Sequence, residues 1–244
     1  MYPTVLRMNA TPVYRFLSLI VSRLSEGETV RRRSILDCGC GGAVPPLAIF
    51  AEQGMEATGI DVSERQLERA RAFAERVGLD IRLRRADMRD LPFPDASFDY
   101  VYEHYSMCHL GRTDTAQAVS EMRRVVKPEG LAFLGVISTE SWPPSSYGEE
   151  RAPGERWMVE DGDEVRHSFF SDAQSDRLVA DWDVLLKEKA VLHVGGEELS
   201  EADWATLRAE APVPRSAEEW AAEYERRTDY ARYVHTYYAL KKPA

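Results

Sequence analysis

The sequence predicts an α/β fold built on a mostly parallel sheet. Three observations carry that expectation. Short apolar runs alternate with helical patterns between residues 34 and 137, the order in which a parallel sheet is assembled. The first run, Ser34-Ile35-Leu36-Asp37, breaks into a glycine-rich turn, Cys38-Gly39-Cys40-Gly41-Gly42-Ala43. The second and third runs end on acids, Asp61 and Asp87.

Each element follows from its local text. Thr11-Pro12 reads as an N-cap with proline at the first helical position, because Phe16, Leu17, Ile20, Val21 and Leu24 then recur at helical spacing. Arg31-Arg32-Arg33 is a solvated corner before the first strand rather than a nucleic-acid patch. After the glycine turn, Pro45-Pro46 leads into a helix carrying Leu47, Ala48, Ile49 and Phe50. Residues 55–60 form a second strand ending at Asp61, and Ser63 and Gln66 have capping-box spacing for a helix that Gly78 can end. Residues 81–86, 98–102 and 131–137 are the next three strands, with a helix from about 114 to 126 before the last. Lys127-Pro128-Glu129-Gly130 supplies the turn between them.

Beyond residue 137 the text changes. Pro143, Pro144, Gly148, Pro153, Gly154 and Gly162 stand beside Trp142, Tyr147 and Trp157, and residues 138–165 read as an insertion over one end of the sheet. A helix over 171–180, a long strand over 182–194, helices over 200–210 and 216–226, and a last strand over 230–240 complete the pattern.

At 244 residues the length fits one domain with elaborations. Hydrophobic residues at 44% and charged residues at 30% supply a core and a solvated surface, which excludes a disordered or membrane-embedded chain. The net charge of −10 would be repelled by a phosphate backbone, so no nucleic-acid partner is expected. Cys38, Cys40 and Cys108 cannot make a secreted-type disulfide framework and point to a reducing compartment. The apolar stretch at 16–21 is far short of the ~20 residues a membrane span needs, and no small-residue cleavage site follows it. A cytoplasmic chain with no membrane partner is expected.

A strand end followed by a glycine turn lets backbone N–H groups approach a ligand closely. An acid at the end of the next strand, here Asp61, can take both hydroxyls of an adenosine ribose. The nicotinamide pattern G-x-G-x-x-G fails, because position 44 is valine and prolines follow.

The text resembles the class I S-adenosylmethionine-dependent methyltransferases, especially the methyltransferase type 11-like small-molecule group whose first strand reads LD-x-G-C-G-x-G. The resemblance runs through Leu36-Asp37-Cys38-Gly39-Cys40-Gly41-Gly42-Ala43, Gly59-Ile60-Asp61-Val62-Ser63, Ala86-Asp87-Met88, Phe98-Asp99-Tyr100-Val101 and Arg124-Val125-Val126-Lys127-Pro128-Glu129-Gly130. These five matches fall in the family's order over residues 35–137. The family has a Rossmann-like, doubly wound, seven-stranded, mostly parallel sheet with an antiparallel last strand. The resemblance implies S-adenosyl-L-methionine as cofactor and methyl transfer to a small-molecule acceptor by in-line displacement.

By the same resemblance Gly39, Cys40 and Gly41 face the methionine portion of the cofactor, Asp61 holds the ribose and Val62 packs on the adenine. Asp87 accepts from the adenine amino group and the Met88 backbone N–H meets a ring nitrogen. Asp37 orients the loop or reaches the methionine amino group through water, and the Glu103 backbone lies near that group. Ala43 stands where the family usually has a third glycine, and Glu129-Gly130 replaces its common double glycine.

Methyl transfer needs an acceptor atom held behind the sulfonium methyl with water excluded. A base is needed only when the acceptor is protonated, and the family alignment puts His104 at the methyl, with Tyr105 beside it. Pocket lining is the competing role for His104, and a structural role is expected for His109. Tyr14, Tyr105 and Trp142 are aromatic candidates to flank the sulfonium. His104, Cys108 and His109 have metal-like spacing, but no second ligand pair is visible and no metal is expected. Cys40, read as preceding a helix N-terminus, is a candidate for raised reactivity.

One domain over 1–244 is expected, with an N-terminal helical lid at 1–30 and a cofactor core at 35–137. An insertion and acceptor cover at 138–170, mobile over 141–167, and the rest of the sheet at 171–244 complete it. A non-catalytic cofactor-binding subunit, or another reaction on the same fold, are the alternatives that the residues leave open.

Overall fold

The computed structural model describes residues 4–141, 148–160, 163–194 and 231–244. The elements run α1 (Thr4–Ser22), β1 (Ser34–Cys38), α2 (Ala48–Glu52), β2 (Glu56–Asp61), α3 (Glu64–Val77), β3 (Ile81–Arg85), β4 (Phe98–Tyr102), α4 (Arg112–Val125) and β5 (Val126–Ser138). Then follow β6 (Glu149–Ala152), β7 (Glu155–Glu160), β8 (Asp163–Phe170), α5 (Asp172–Leu178), β9 (Asp183–Val194) and β10 (Ala231–Lys241). Strands β3-β2-β1-β4-β5 lie side by side and parallel, and β10 enters antiparallel between β5 and β9.

Period-two alternation divides the core between the two faces. Leu36, Leu134, Val136 and Tyr238 face one side, under Met122 and Val125 of α4. Ile35, Phe133 and Tyr237 face the other, under Phe16 of α1 and Phe50 of α2. Helices on both faces make the sheet doubly wound. Local signals act where the sequence places them: the Ser63 hydroxyl accepts from the Gln66 amide at 3.4 Å, and Gly78 ends α3 at φ +70°.

Four expectations are corrected. The sheet has ten strands among the described residues rather than seven, because the insertion is itself β-structure. β6, β7 and β8 form an antiparallel meander, and β8 pairs with the end of β5 through Ile137↔Phe169 and Ser138↔Phe170. Its strands are rich in charges that pair across the ribbon, Arg151 with Glu164 and Arg156 with Glu150, so apolar periodicity did not mark them. Second, α1 starts at Thr4, with Pro12 inside it rather than at its start; one missing intrahelical hydrogen bond is offset by the packing of Val13, Phe16 and Ile20. Third, α2 begins only at Ala48 and runs five residues, so no helix starts directly after the glycine turn. Fourth, the Lys127-to-Gly130 turn lies within β5, where the pairing with β4 shifts register and Glu129 takes φ +64°.

Trp142, Tyr147, Tyr230 and the helices expected over 200–210 and 216–226 lie outside the described residues. No helix among the described residues is long and apolar enough to cross a membrane.

Candidate active site

The glycine turn leaves β1 wedged between two neighbours. A Cβ on Gly39, which sits at φ +152°, would lie 2.1 Å from Ser106 Oγ. One on Gly41 would lie 2.3 Å from Asp61 Oδ2. Both glycines are therefore required by the protein's own packing, before any ligand is considered. Ser106 donates its hydroxyl to the Gly39 carbonyl at 3.0 Å, and the Gly41 amide donates to Asp61 Oδ2 at 3.0 Å. Ala43, which stands in place of a glycine, is exposed.

Asp61 ends β2 with both oxygens engaged from below, since the Ser63 amide donates to Oδ1 at 2.8 Å. One backbone bond per oxygen leaves lone pairs for a ligand. Val62 beside it is 60% exposed, so its side chain is open to a ligand at the strand end. Asp87 is gripped by Arg89, which donates from Nε to Oδ1 at 3.0 Å and from Nη2 to Oδ2 at 2.6 Å. That pair holds the Asp87 carboxyl below the usual range, so it stays an acceptor. Met88 packs beside it against the core.

Asp37 is buried beneath the turn, where the Tyr102 hydroxyl donates to its Oδ2 at 2.5 Å. Burial pushes its pKa up to about 8, partly offset by that hydrogen bond. Its burial favours orienting the loop over direct contact with a ligand. Cys40 turns its thiol into the core against Gly59, and burial raises its pKa, so the raised reactivity expected of it is withdrawn.

The turn after β4 is organised by Glu103. Its side chain is fully buried, and Oε1 accepts from the amides of Ser106 at 2.5 Å and Met107 at 2.7 Å. Burial raises its pKa to about 7 against the pull of those amides. This bracing holds Tyr105 at φ +67°, a left-handed conformation that costs a non-glycine residue ~1–2 kcal/mol. His104 Nε2 is buried with no hydrogen-bond partner. Desolvation, with His235 nearby, lowers the His104 pKa to about 3, and burial lowers His235 to about 4. Both imidazoles are neutral at physiological pH.

Beside this turn lies a cavity of about 240 Å³ between α1 and the sheet. Tyr105, His235 and Tyr237 form its polar end, and Phe16, Phe133 and Leu186 part of its apolar wall. The Tyr237 hydroxyl donates to the Tyr105 hydroxyl at 3.1 Å, and Arg15 of α1 bonds Glu188 of β9 across one edge. Sequence reasoning missed His235 and Tyr237, because only the antiparallel insertion of β10 beside β5 brings them here.

No described residue of 138–170 lines this cavity. Trp157, within the segment expected to cover the acceptor, instead packs against the guanidinium groups of Arg151 at 4.9 Å and Arg166 at 5.5 Å. Tyr14 is 47% exposed on α1 and does not line the cavity.

A doubly wound sheet with a Gly41–Asp61 interlock at the carboxyl ends of β1 and β2 has the class I S-adenosylmethionine-dependent methyltransferase architecture. Residues 36–134 match the family model described as a methyltransferase domain. The chain is 37% identical over 103 residues to the 27-O-demethylrifamycin SV methyltransferase of Amycolatopsis mediterranei, a match covering 41% of this chain and 37% of that protein. It is 40% identical over 99 residues to 24-methylenesterol C-methyltransferase 2 of Oryza sativa subsp. japonica, covering 40% and 27%. The matched stretch thus spans about a third of these relatives. A solved structure of an S-adenosylmethionine-dependent methyltransferase from Methanosarcina mazei shares the fold, with TM-score 0.66 and 17% identity over 92% of this chain and 97% of that one.

Proposed function

We propose that this chain transfers a methyl group from S-adenosylmethionine to a small, largely apolar, uncharged acceptor. The observation that carries the reading is Asp61, fixed by the Gly41 and Ser63 amides with a lone pair to spare on each oxygen. That arrangement suits two vicinal ribose hydroxyls. When bound, the cofactor supplies an electrophilic methyl on a positively charged sulfur.

The chain's residues do the rest. Val62 offers an apolar ledge for the adenine, Asp87 accepts from its amino group, and the Met88 amide donates to the ring. Gly39 to Gly41, with Asp37 beneath and the Glu103 backbone opposite, receive the methionine end. The cavity behind Tyr105 takes the acceptor, with α1 as its wall. His104 stacks edge-on against Tyr105, with ring centroids 4.3 Å apart, just outside the cavity's lining, and would take the acceptor's proton once a side-chain turn exposes its buried Nε2. The net charge of −10 disfavours nucleic acid, and three buried cysteines outside any disulfide suit a cytoplasmic setting.

Asp61→Ala is expected to weaken S-adenosylhomocysteine binding by ~1–3 kcal/mol, the cost of charge-assisted hydrogen bonds. Gly41→Ala should act in the same direction, because its methyl displaces the Asp61 carboxylate. Calorimetry that finds wild-type affinity in both variants removes the ribose assignment. Incubation with methyl-labelled cofactor and a panel of small neutral acceptors then tests turnover. Tight cofactor binding with no labelled product on any acceptor would favour a binding subunit.

A further inference from the structure

We propose that Cys108, His109 and His167 form a three-ligand site for zinc, joining β8 to the turn after β4. One donor atom from each residue lies within 4.8 Å of the other two. Tetrahedral zinc, with Zn–N at ~2.0–2.1 Å and Zn–S at ~2.3 Å, places such donors roughly 3.3–3.6 Å apart. Side-chain rotation by about an ångström closes the difference, since the backbones are already held together. Ser168 donates its hydroxyl to the Leu110 carbonyl, and Arg166 Nε donates to the His109 carbonyl at 3.4 Å.

The surroundings suit a ligand set of this kind. His109 Nδ1 lies 3.2 Å from the Arg166 carbonyl. In the tautomer that donates this bond, Nε2 keeps its lone pair, and metal-binding histidines are commonly oriented by just such a carbonyl. The His109 and His167 rings meet edge-on, with centroids 4.9 Å apart. Ile137, Phe169 and Met158 pack around Cys108, giving the sulfur an apolar side. The nearby Arg166 guanidinium is offset by Asp114 at 3.4 Å and Glu155 at 3.8 Å, so its charge does not stand alone against a cation.

The Cys108 thiol reaches the Tyr105 carbonyl at 3.1 Å. Zinc would replace the thiol proton: the S–H bond breaks, an S–Zn bond forms, and one proton leaves to solvent without change of oxidation state. A fourth position is left to water, as in zinc sites with three protein ligands. Occupancy would tie the sheet extension to the turn that carries His104 and Tyr105.

Cobalt(II) is the probe, titrated into the reduced, chelator-treated full chain. One equivalent should give the visible bands of tetrahedral cobalt and a near-ultraviolet thiolate-to-cobalt band, both abolished by added zinc. Cys108→Ser should remove the thiolate band. His109→Gln and His167→Gln should each weaken zinc, measured by competition with a chromophoric chelator, at least ~10-fold. His109 is exposed, so its variant tests the site without disturbing the core. The proposal fails if no stoichiometric binding occurs, if both histidine variants bind zinc as the wild type does, or if the thiolate band survives in Cys108→Ser.

Discussion

Replacing His104 by alanine is expected to lower kcat by ~10²-fold, the lower end of the range for a general base, and to leave S-adenosylhomocysteine affinity within about twofold. The low end follows from electrostatics. An imidazole whose pKa is lowered to about 3 is a weak proton acceptor, so its contribution is a positioned hydrogen bond and a late proton transfer. The sign for pH is specific. Desolvation favours the neutral form, so the wild-type rate should show no inflection near 6.5 from this residue, and acid should not switch it off above about pH 4. His104→Gln keeps an acceptor oxygen and should recover part of the loss. Steady-state kinetics on any acceptor found by the screen decide this. An undiminished rate in His104→Ala leaves the residue as pocket lining, and a titration near 6.5 that disappears in the variant contradicts the desolvated imidazole.

Asp37→Asn is expected to stabilise the ligand-free protein strongly at alkaline pH and much less at pH 5. The folded-state pKa of Asp37 is raised from 3.8 to about 8, so between those values the folded state holds a proton that the unfolded chain has lost. Stability therefore falls as pH rises through that window. A shift of this size corresponds to up to ~6 kcal/mol at pH 8.5. Glu103, raised to about 7, adds in the same direction. Asp87, Asp99 and Glu121 are shifted down, so their contributions change only in acid, outside the window. Asparagine cannot ionise and still accepts from Tyr102, so the variant should melt roughly 10 °C above the wild type at pH 8.5. Melting curves at pH 5 and 8.5 are the measurement. A variant no better relative to the wild type at pH 8.5 than at pH 5 would show that burial does not control this carboxyl.

Much of the cofactor half was legible because its signals act over a few residues. The glycine turn, the acids at the end of β2 and just past β3, and the Ser63 and Gly78 caps of α3 each lie within a short stretch of backbone, so text alone reveals them, although Gln66 does not close the capping box because the Ser63 amide donates to Asp61 instead. Proline at position 12 is the exception that marks the limit: its local preference for a helix start was outweighed by the packing of Phe16 against Phe50 and Phe133.

The acceptor side was decided by contacts between residues far apart. His235 and Tyr237 reach Tyr105 only through the antiparallel entry of β10, and Ser106 meets Gly39 only because β4 lies beside β1. The β6–β8 ribbon is held by charges paired across strands, which in one dimension look like a solvated loop. His167 joins Cys108 and His109 because β8 docks on the turn after β4, and no spacing rule spans that distance. The sequence by itself determined where a backbone bends and which strand ends carry acids, since those are local energies. Which side chains share a cavity depends on sheet order and register, a balance of long-range packing that only the tertiary structure expresses.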